Sequence, residues 1–129
     1  MAVSVLMVDD SADFRFLLRK RLEKIGCRIV AEAADSESGL ELFRAHRPQL
    51  VTLDLLMPDS PKFTAKELFR TMRREDPHTA ILVISTQSRS SNASSFLAAG
   101  AVAYVEKSFM NFDEVTKKLR TIFLEIKRQ

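Results

Sequence analysis

The chain has 129 residues, 46% of them apolar, which suits one domain (residues 1–129) built around a core of ordinary size. No run approaches the roughly 20 consecutive apolar residues of a membrane span, and the opening Met1-Ala2-Val3-Ser4-Val5 has neither a basic leader nor a cleavage pattern. The single Cys27 excludes an internal disulfide and points to a reducing cytoplasm, while the net charge of +3 comes without zinc spacing, an aromatic RNA-binding pattern or a helix-turn-helix signal, so nucleic acid is not expected as a partner of this domain alone.

The first apolar run, Val3 to Val8, is short and rich in β-branched residues, and it ends in Asp9-Asp10. Phe14, Leu17, Leu18, Leu22 and Ile25 then recur three and four apart, which predicts a helix stopped by Gly26. Cations from Arg15 to Arg28 interleave with this stripe, as they do from Lys117 to Arg128, and predict solvated, partner-facing helix surfaces. Cys27 lies beside apolar positions and reads as a small core residue.

A second strand is expected over Arg28–Ala33, followed by a helix carrying Leu40, Leu42 and Phe43, capped by Asp35 or Ser36 and ending before Pro48. Leu50–Leu53 reads as a buried strand that runs into Asp54. Leu68, Phe69 and Met72 mark the third helix, which Thr64 and Glu67 open as a capping box. Ala80–Ile84 is the fourth strand, leading to Ser85-Thr86. A weak, Ser-rich helix over Ser90–Ala99 stops at Gly100. Val102–Val105 is the fifth strand, leading to Glu106-Lys107. Val115, Leu119, Ile122, Phe123 and Ile126 mark the last helix, capped by Asn111 with Glu114. Five such alternations predict a doubly wound α/β domain, a parallel sheet with helices on both faces.

Ligands of an open α/β sheet bind beyond the carboxyl ends of its strands. Asp9, Asp10 and Asp54 therefore meet Ser85, Thr86 and Lys107 on one edge. Each has a plain alternative: Asp9 or Asp10 as a helix cap, Asp54 as the start of a turn with Pro58, Ser85 as a local backbone partner, Lys107 as a surface charge. Clustered carboxylates repel, which raises pKa values or calls for a cation, and oxygen ligands with few carboxylates favour Mg2+. A carboxylate nucleophile, a metal, a hydroxyl and an ammonium are together the parts of phosphoryl transfer to an aspartate. His46 and His78 fall near helix ends away from this edge and are expected in solvent.

With these residues in place, the sequence resembles the receiver domains of two-component response regulators over nearly its whole length. The segments that carry the resemblance are Leu6-Met7-Val8-Asp9-Asp10-Ser11, Leu53-Asp54-Leu55-Leu56-Met57-Pro58, Ile84-Ser85, Ala99-Gly100-Ala101 and Tyr104-Val105-Glu106-Lys107. The resemblance implies a flavodoxin-like five-stranded sheet in the order 2-1-3-4-5. It implies Asp54 as phosphoacceptor, with Ser85 and Lys107 completing the catalytic set. It further implies Mg2+ held by Asp9, Asp10, Asp54 and the carbonyl of Leu56, and a conformational switch that involves Ser85 and Tyr104. The implied partners are a sensor histidine kinase or phosphotransfer protein as donor, and an output protein that binds the face of helix 4, strand 5 and helix 5.

Three features depart from the family pattern. Asp59-Ser60-Pro61-Lys62-Phe63 replaces the usual Met-Asp-Gly turn. Ser108 stands where a proline commonly follows the lysine, so a trans peptide is expected there. Ser88, Ser90, Ser91, Ser94 and Ser95 crowd the fourth helix. The residues two beyond Asp54 and Ser85, Leu56 and Gln87, flank the path of a hydrolytic water in such domains, and an apolar Leu56 either implies a long-lived phosphorylated form or merely covers the apolar loop around Met57 and Phe63.

Two other function classes fit less well. A scaffold independent of phosphorylation has no need of the intact set of Asp9, Asp10, Asp54, Ser85 and Lys107. A metal-dependent phosphohydrolase resembling the haloacid dehalogenases would carry a second Asp at the position of Leu56. The expected protein is a switch rather than a turnover enzyme.

Overall fold

The computed structural model describes residues 2–57, 62–86, 89–107 and 112–128, with backbone alone at residues 89–92. Its elements alternate: β1 (Val3–Val8), α1 (Ala12–Lys24), β2 (Cys27–Ala33), α2 (Ser36–His46), β3 (Leu50–Leu53), α3 (Ala65–Glu75), β4 (Ala80–Ser85), α4 (Arg89–Ala98), β5 (Ala103–Glu106) and α5 (Phe112–Lys127). Ser85 and Glu106 thus close β4 and β5 rather than follow them, and Arg28 belongs to β2 rather than to a basic helix.

Local chemistry accounts for the helix starts. Ser11, not Asp9 or Asp10, caps α1, its side chain accepting from the Phe14 N–H. Asp35 caps α2 through Ser38, and Thr64 and Glu67 form the expected reciprocal box on α3. The expected cap at Asn111, and the peptide at Ser108, lie outside the described residues.

All five strands are parallel, in the order β2-β1-β3-β4-β5. The three inner strands are buried on both faces, which is why they read as continuous apolar runs. Leu6, Val8, Val51 and Leu53 face α2, α3 and α4 through Phe43, Leu68 and Phe96. Val5, Met7, Leu82 and Ile84 face α1 and α5 through Phe14, Leu18 and Leu119. Leu17, expected in the apolar stripe of α1, lies instead on its solvent side. On the edge strand β2 the register skips Val30 opposite Val5 and Leu6, a bulge that interrupts the ladder at the sheet's border.

Two glycines mark close approaches. A Cβ on Gly39 of α2 would meet Leu68 at 3.1 Å and Val8 at 3.3 Å, so α2 sits hard against β1 and α3. Gly100 ends α4 at φ +109°, and a Cβ there would fall 2.5 Å from the Arg73 guanidinium. No helix among the described residues is long and apolar enough to cross a membrane.

Candidate phosphoacceptor site

The order 2-1-3-4-5 makes chain connections leave β1 and β3 toward opposite sides of the sheet, and this opens a crevice beyond their carboxyl ends. Asp9 follows β1 and Asp54 follows β3. The Asp9 N–H donates to the Ala33 carbonyl and the Asp54 N–H to the Val8 carbonyl, each at 2.9 Å, so the two residues are locked to neighbouring strands. Both are buried, whereas Asp10 is exposed at the rim.

Their carboxylates are individually oriented. Asp9 Oδ1 accepts from the Ser11 N–H at 2.8 Å, and Asp54 Oδ1 accepts from the Leu56 N–H at 3.1 Å. One carboxylate oxygen from each of Asp9, Asp10 and Asp54 lies within 4.8 Å of the others, a set of hard oxygen donors that fits the Mg2+ site of a receiver domain.

Lys107, one residue beyond β5, reaches back into this cluster. Its N–H donates to the Ser85 carbonyl at 2.6 Å, which fixes the backbone. Its Nζ donates to Asp9 at 2.9 Å from Oδ2 and stands 3.4 Å from Asp54 Oδ2. With 8% of its side chain exposed, it is not a surface charge. Ser85 is fully buried at the end of β4, while Thr86 is exposed. Tyr104 is buried beside Phe96, and its hydroxyl has no hydrogen-bond partner among the described residues.

Burial is the largest influence on Asp54 and pushes its carboxyl from an ordinary 3.8 up to about 6. The Leu56 N–H opposes that shift, the Asp9 charge adds to it, and Lys107 opposes it again. A carboxylate in such surroundings is short of compensating positive charge. Cys27, by contrast, has a thiol raised by burial to about 11, consistent with the inert core role read for it.

Two neighbours of the cluster were not legible as such. Arg15 reads from sequence as part of a solvated basic face. In the fold its Nη1 donates to the Asp9 carbonyl and its Nε to Glu32 Oε1 at 3.0 Å. Phe14 reads as core, and it is, yet its ring also lies 4.5 Å below the Lys107 ammonium. Only its position, four residues after Asp10, hinted at proximity. His46 and His78 are exposed, as expected. Gln87, and the side chains of Ser88, Ser90 and Ser91, lie outside the described residues, and Ser94 and Ser95 are exposed on α4.

Residues 5–120 match the family described as Response regulator receiver domain, and the chain belongs to that family. It is a receiver domain of the kind used in two-component signalling, whose members act as signalling switches. It is 32% identical over 109 residues to the chemotaxis protein CheY of Bacillus subtilis (strain 168), a match that covers 84% of this chain and 88% of that protein. It is 38% identical to protein-glutamate methylesterase/protein-glutamine glutaminase 2 of Nitratidesulfovibrio vulgaris, covering 81% of this chain but only 28% of that longer protein. Among solved structures, a LuxR-family two-component response regulator from Aurantimonas sp. SI85-9A1 superposes with a TM-score of 0.83 at 30% identity, over 97% of this chain and 87% of that one. CheY in the CheX-CheY-BeF3-Mg complex of Borrelia burgdorferi has the same fold, with a TM-score of 0.84 at 24% identity over 94% of this chain and 89% of that one.

Proposed function

We propose that residues 1–129 form one receiver domain that takes a phosphoryl group from a histidine onto Asp54 and uses it to change partner binding. The observation that carries this reading is the buried Asp54 carboxylate at the end of β3, 3.4 Å from Lys107 and within 4.8 Å of oxygens of Asp9 and Asp10.

In this reading Asp54 attacks the phosphorus of a phosphohistidine in line, and the P–N bond breaks as the new O–P bond forms. The Leu56 N–H on Asp54 Oδ1 fixes the carboxylate's rotation and leaves Oδ2 as the attacking atom. Asp9, Asp10 and Asp54, with the carbonyl of Leu56, are the residues that would hold Mg2+. Bound there, the ion would offset the carboxylate repulsion and the charge on the transferred group. Lys107 keeps its ammonium within reach of the equatorial oxygens, and Ser85 supplies a hydroxyl to the phosphoryl group once it is attached. Tyr104, buried and with no partner for its hydroxyl among the described residues, is the aromatic whose position would report that change.

The donor in this reading is a sensor histidine kinase or a phosphotransfer protein. The output surface is the face of α4, β5 and α5, where Leu97 and Val102 are exposed and a 460 Å³ groove runs between Ala103 and Lys118. The domain works in the cytoplasm as a switch and not as a turnover enzyme. The methylesterase activity named for longer relatives is not assigned to it.

Acetyl phosphate with Mg2+ should add one phosphoryl group to the wild type, seen as intact mass in cold neutral buffer, and none to Asp54→Asn. Equal labelling of the variant would place the acceptor elsewhere.

A further inference from the structure

The geometry points to Phe14 as a positioning residue: its ring face steadies the Lys107 ammonium at the place where that ammonium bridges Asp9 and Asp54. This inference rests on the proposed role of Asp54 and extends it to a residue that touches neither phosphoryl group nor metal.

Lys107 has three kinds of neighbour. Asp9 takes its hydrogen bond at 2.9–3.0 Å, Asp54 lies at 3.4 Å, and the Phe14 centroid lies at 4.5 Å. The ammonium bridges the two carboxylates, and an incoming cation and phosphoryl group must draw it partly away from them. An aromatic face attracts the same charge through its quadrupole without accepting its N–H groups. The ring therefore adds to the attraction that holds the ammonium in place and uses none of its N–H donors, so those donors can turn from Asp9 and Asp54 to phosphoryl oxygens.

The ring itself is held in place. Phe14 is fully buried and stacks on Phe112 at 5.5 Å with an interplanar angle of 27°. Its backbone N–H donates to Ser11 Oγ at 3.1 Å, while the Ser11 N–H donates to Asp9. One turn of chain thus orients both Asp9, the carboxylate to which Lys107 donates, and Phe14, the ring on which its ammonium rests. A Leu at position 14 would fill much of the same core space but lack the quadrupole.

Graded fluorination separates positioning from packing. Mono-, di- and trifluorinated phenylalanine placed at position 14 drain the ring face stepwise with little change in shape. The same series at Phe69, a core ring packed edge-on against Phe96 at 5.1 Å, serves as control. With acetyl phosphate and saturating Mg2+, the phosphorylation rate should fall stepwise along the Phe14 series, by about threefold to tenfold at three fluorines, and about tenfold in Phe14→Leu. The Phe69 series should stay flat.

In metal-free protein, the Lys107 Hε signals should sit upfield from the ring current and return toward random-coil values in Phe14→Leu. The apparent Mn2+ dissociation constant should rise about threefold in that variant, because the ammonium then competes more strongly for Asp9 and Asp54. A flat Phe14 series, or equal losses in both series, overturns the positioning role. If the wild type takes no phosphoryl group at all, the functional reading fails instead. The lysine signals and the Mn2+ series then decide the positioning role alone: a graded rise supports it and a flat response overturns it.

Discussion

Two ion pairs of this molecule each set a cation against a carboxylate and end in opposite states. On the surface, Arg44 of α2 grips Glu75 of α3 with Nε at 3.0 Å from Oε1 and Nη2 at 2.5 Å from Oε2. The Arg44 hydrogen bond, the largest influence on Glu75, holds its carboxyl below the usual range. At the carboxyl edge of the sheet, Lys107 touches Asp9 and approaches Asp54, yet Asp54 is pushed up to about 6. The contacts are alike in kind, and burial makes the difference. Arg44 keeps 54% of its side chain in water and Asp54 only 3% of its own. At the surface, desolvation is slight and the cation dominates. In the crevice, one ammonium is shared by two buried carboxylates and desolvation dominates. The difference teaches that the crevice is a place where the fold carries an uncompensated cost, which is the usual mark of a site that awaits a ligand.

The largest expected effect tests that cost directly. Because the folded-state value of Asp54 is raised above its unfolded one, its destabilisation is absent below about pH 3.8, grows as pH rises to about 6 and is constant above. In metal-free protein this amounts to about 2–3 kcal/mol at neutral pH, with one pKa unit worth about 1.4 kcal/mol. Asp54→Asn should therefore be more stable than wild type at pH 7, with the advantage vanishing near pH 4. Urea unfolding in the presence of a chelator at several pH values measures it, and a pH-independent difference would break the comparison.

Asp10→Ala should raise metal-free stability by about 1 kcal/mol through relief of like charge, and should weaken Mn2+ binding. Melting scans with and without metal test both halves. A variant that melts lower and binds Mn2+ normally would remove Asp10 from the cluster.

Leu56 is a half-exposed apolar residue, 46% accessible, close in sequence to buried Asp54. It can neither hold nor orient a hydrolytic water, so Leu56→Asn should shorten the phosphorylated lifetime several-fold. Phosphoryl loss timed at one pH and saturating Mg2+ checks it, and an unchanged decay rate removes Leu56 from the water path.

The smallest effect belongs to the surface pair. Arg44→Ala should leave the melting midpoint within about 2 °C of wild type, because exposed ion pairs contribute little. A drop as large as the gain expected for Asp54→Asn would contradict burial as the deciding factor.

Much of the site was legible in the sequence because buried parallel strands announce themselves as apolar runs. Charged residues just after the first, third and fifth runs then fall on one edge, and Asp9, Asp54 and Lys107 do meet there. The cap at Thr64 with Glu67 was equally legible, since a cap involves residues three apart, while the α2 cap was narrowed to Asp35 or Ser36 and the structure selects Asp35. What the sequence left open is everything that depends on which element faces which. Leu17 has the spacing of a core residue but lies on the solvent side of α1, and Arg15 has the look of a surface cation but is pinned to Asp9 and Glu32. The bulge at Val30 follows from how β2 pairs with β1, and no local signal carries it. The contact between Phe14 and Lys107 joins residues from opposite ends of the chain. Periodicity within an element fixes which side chains share a face. Only the packing of α1 against the sheet, and the place of β5 within it, decides that one of those faces lies beneath a buried ammonium.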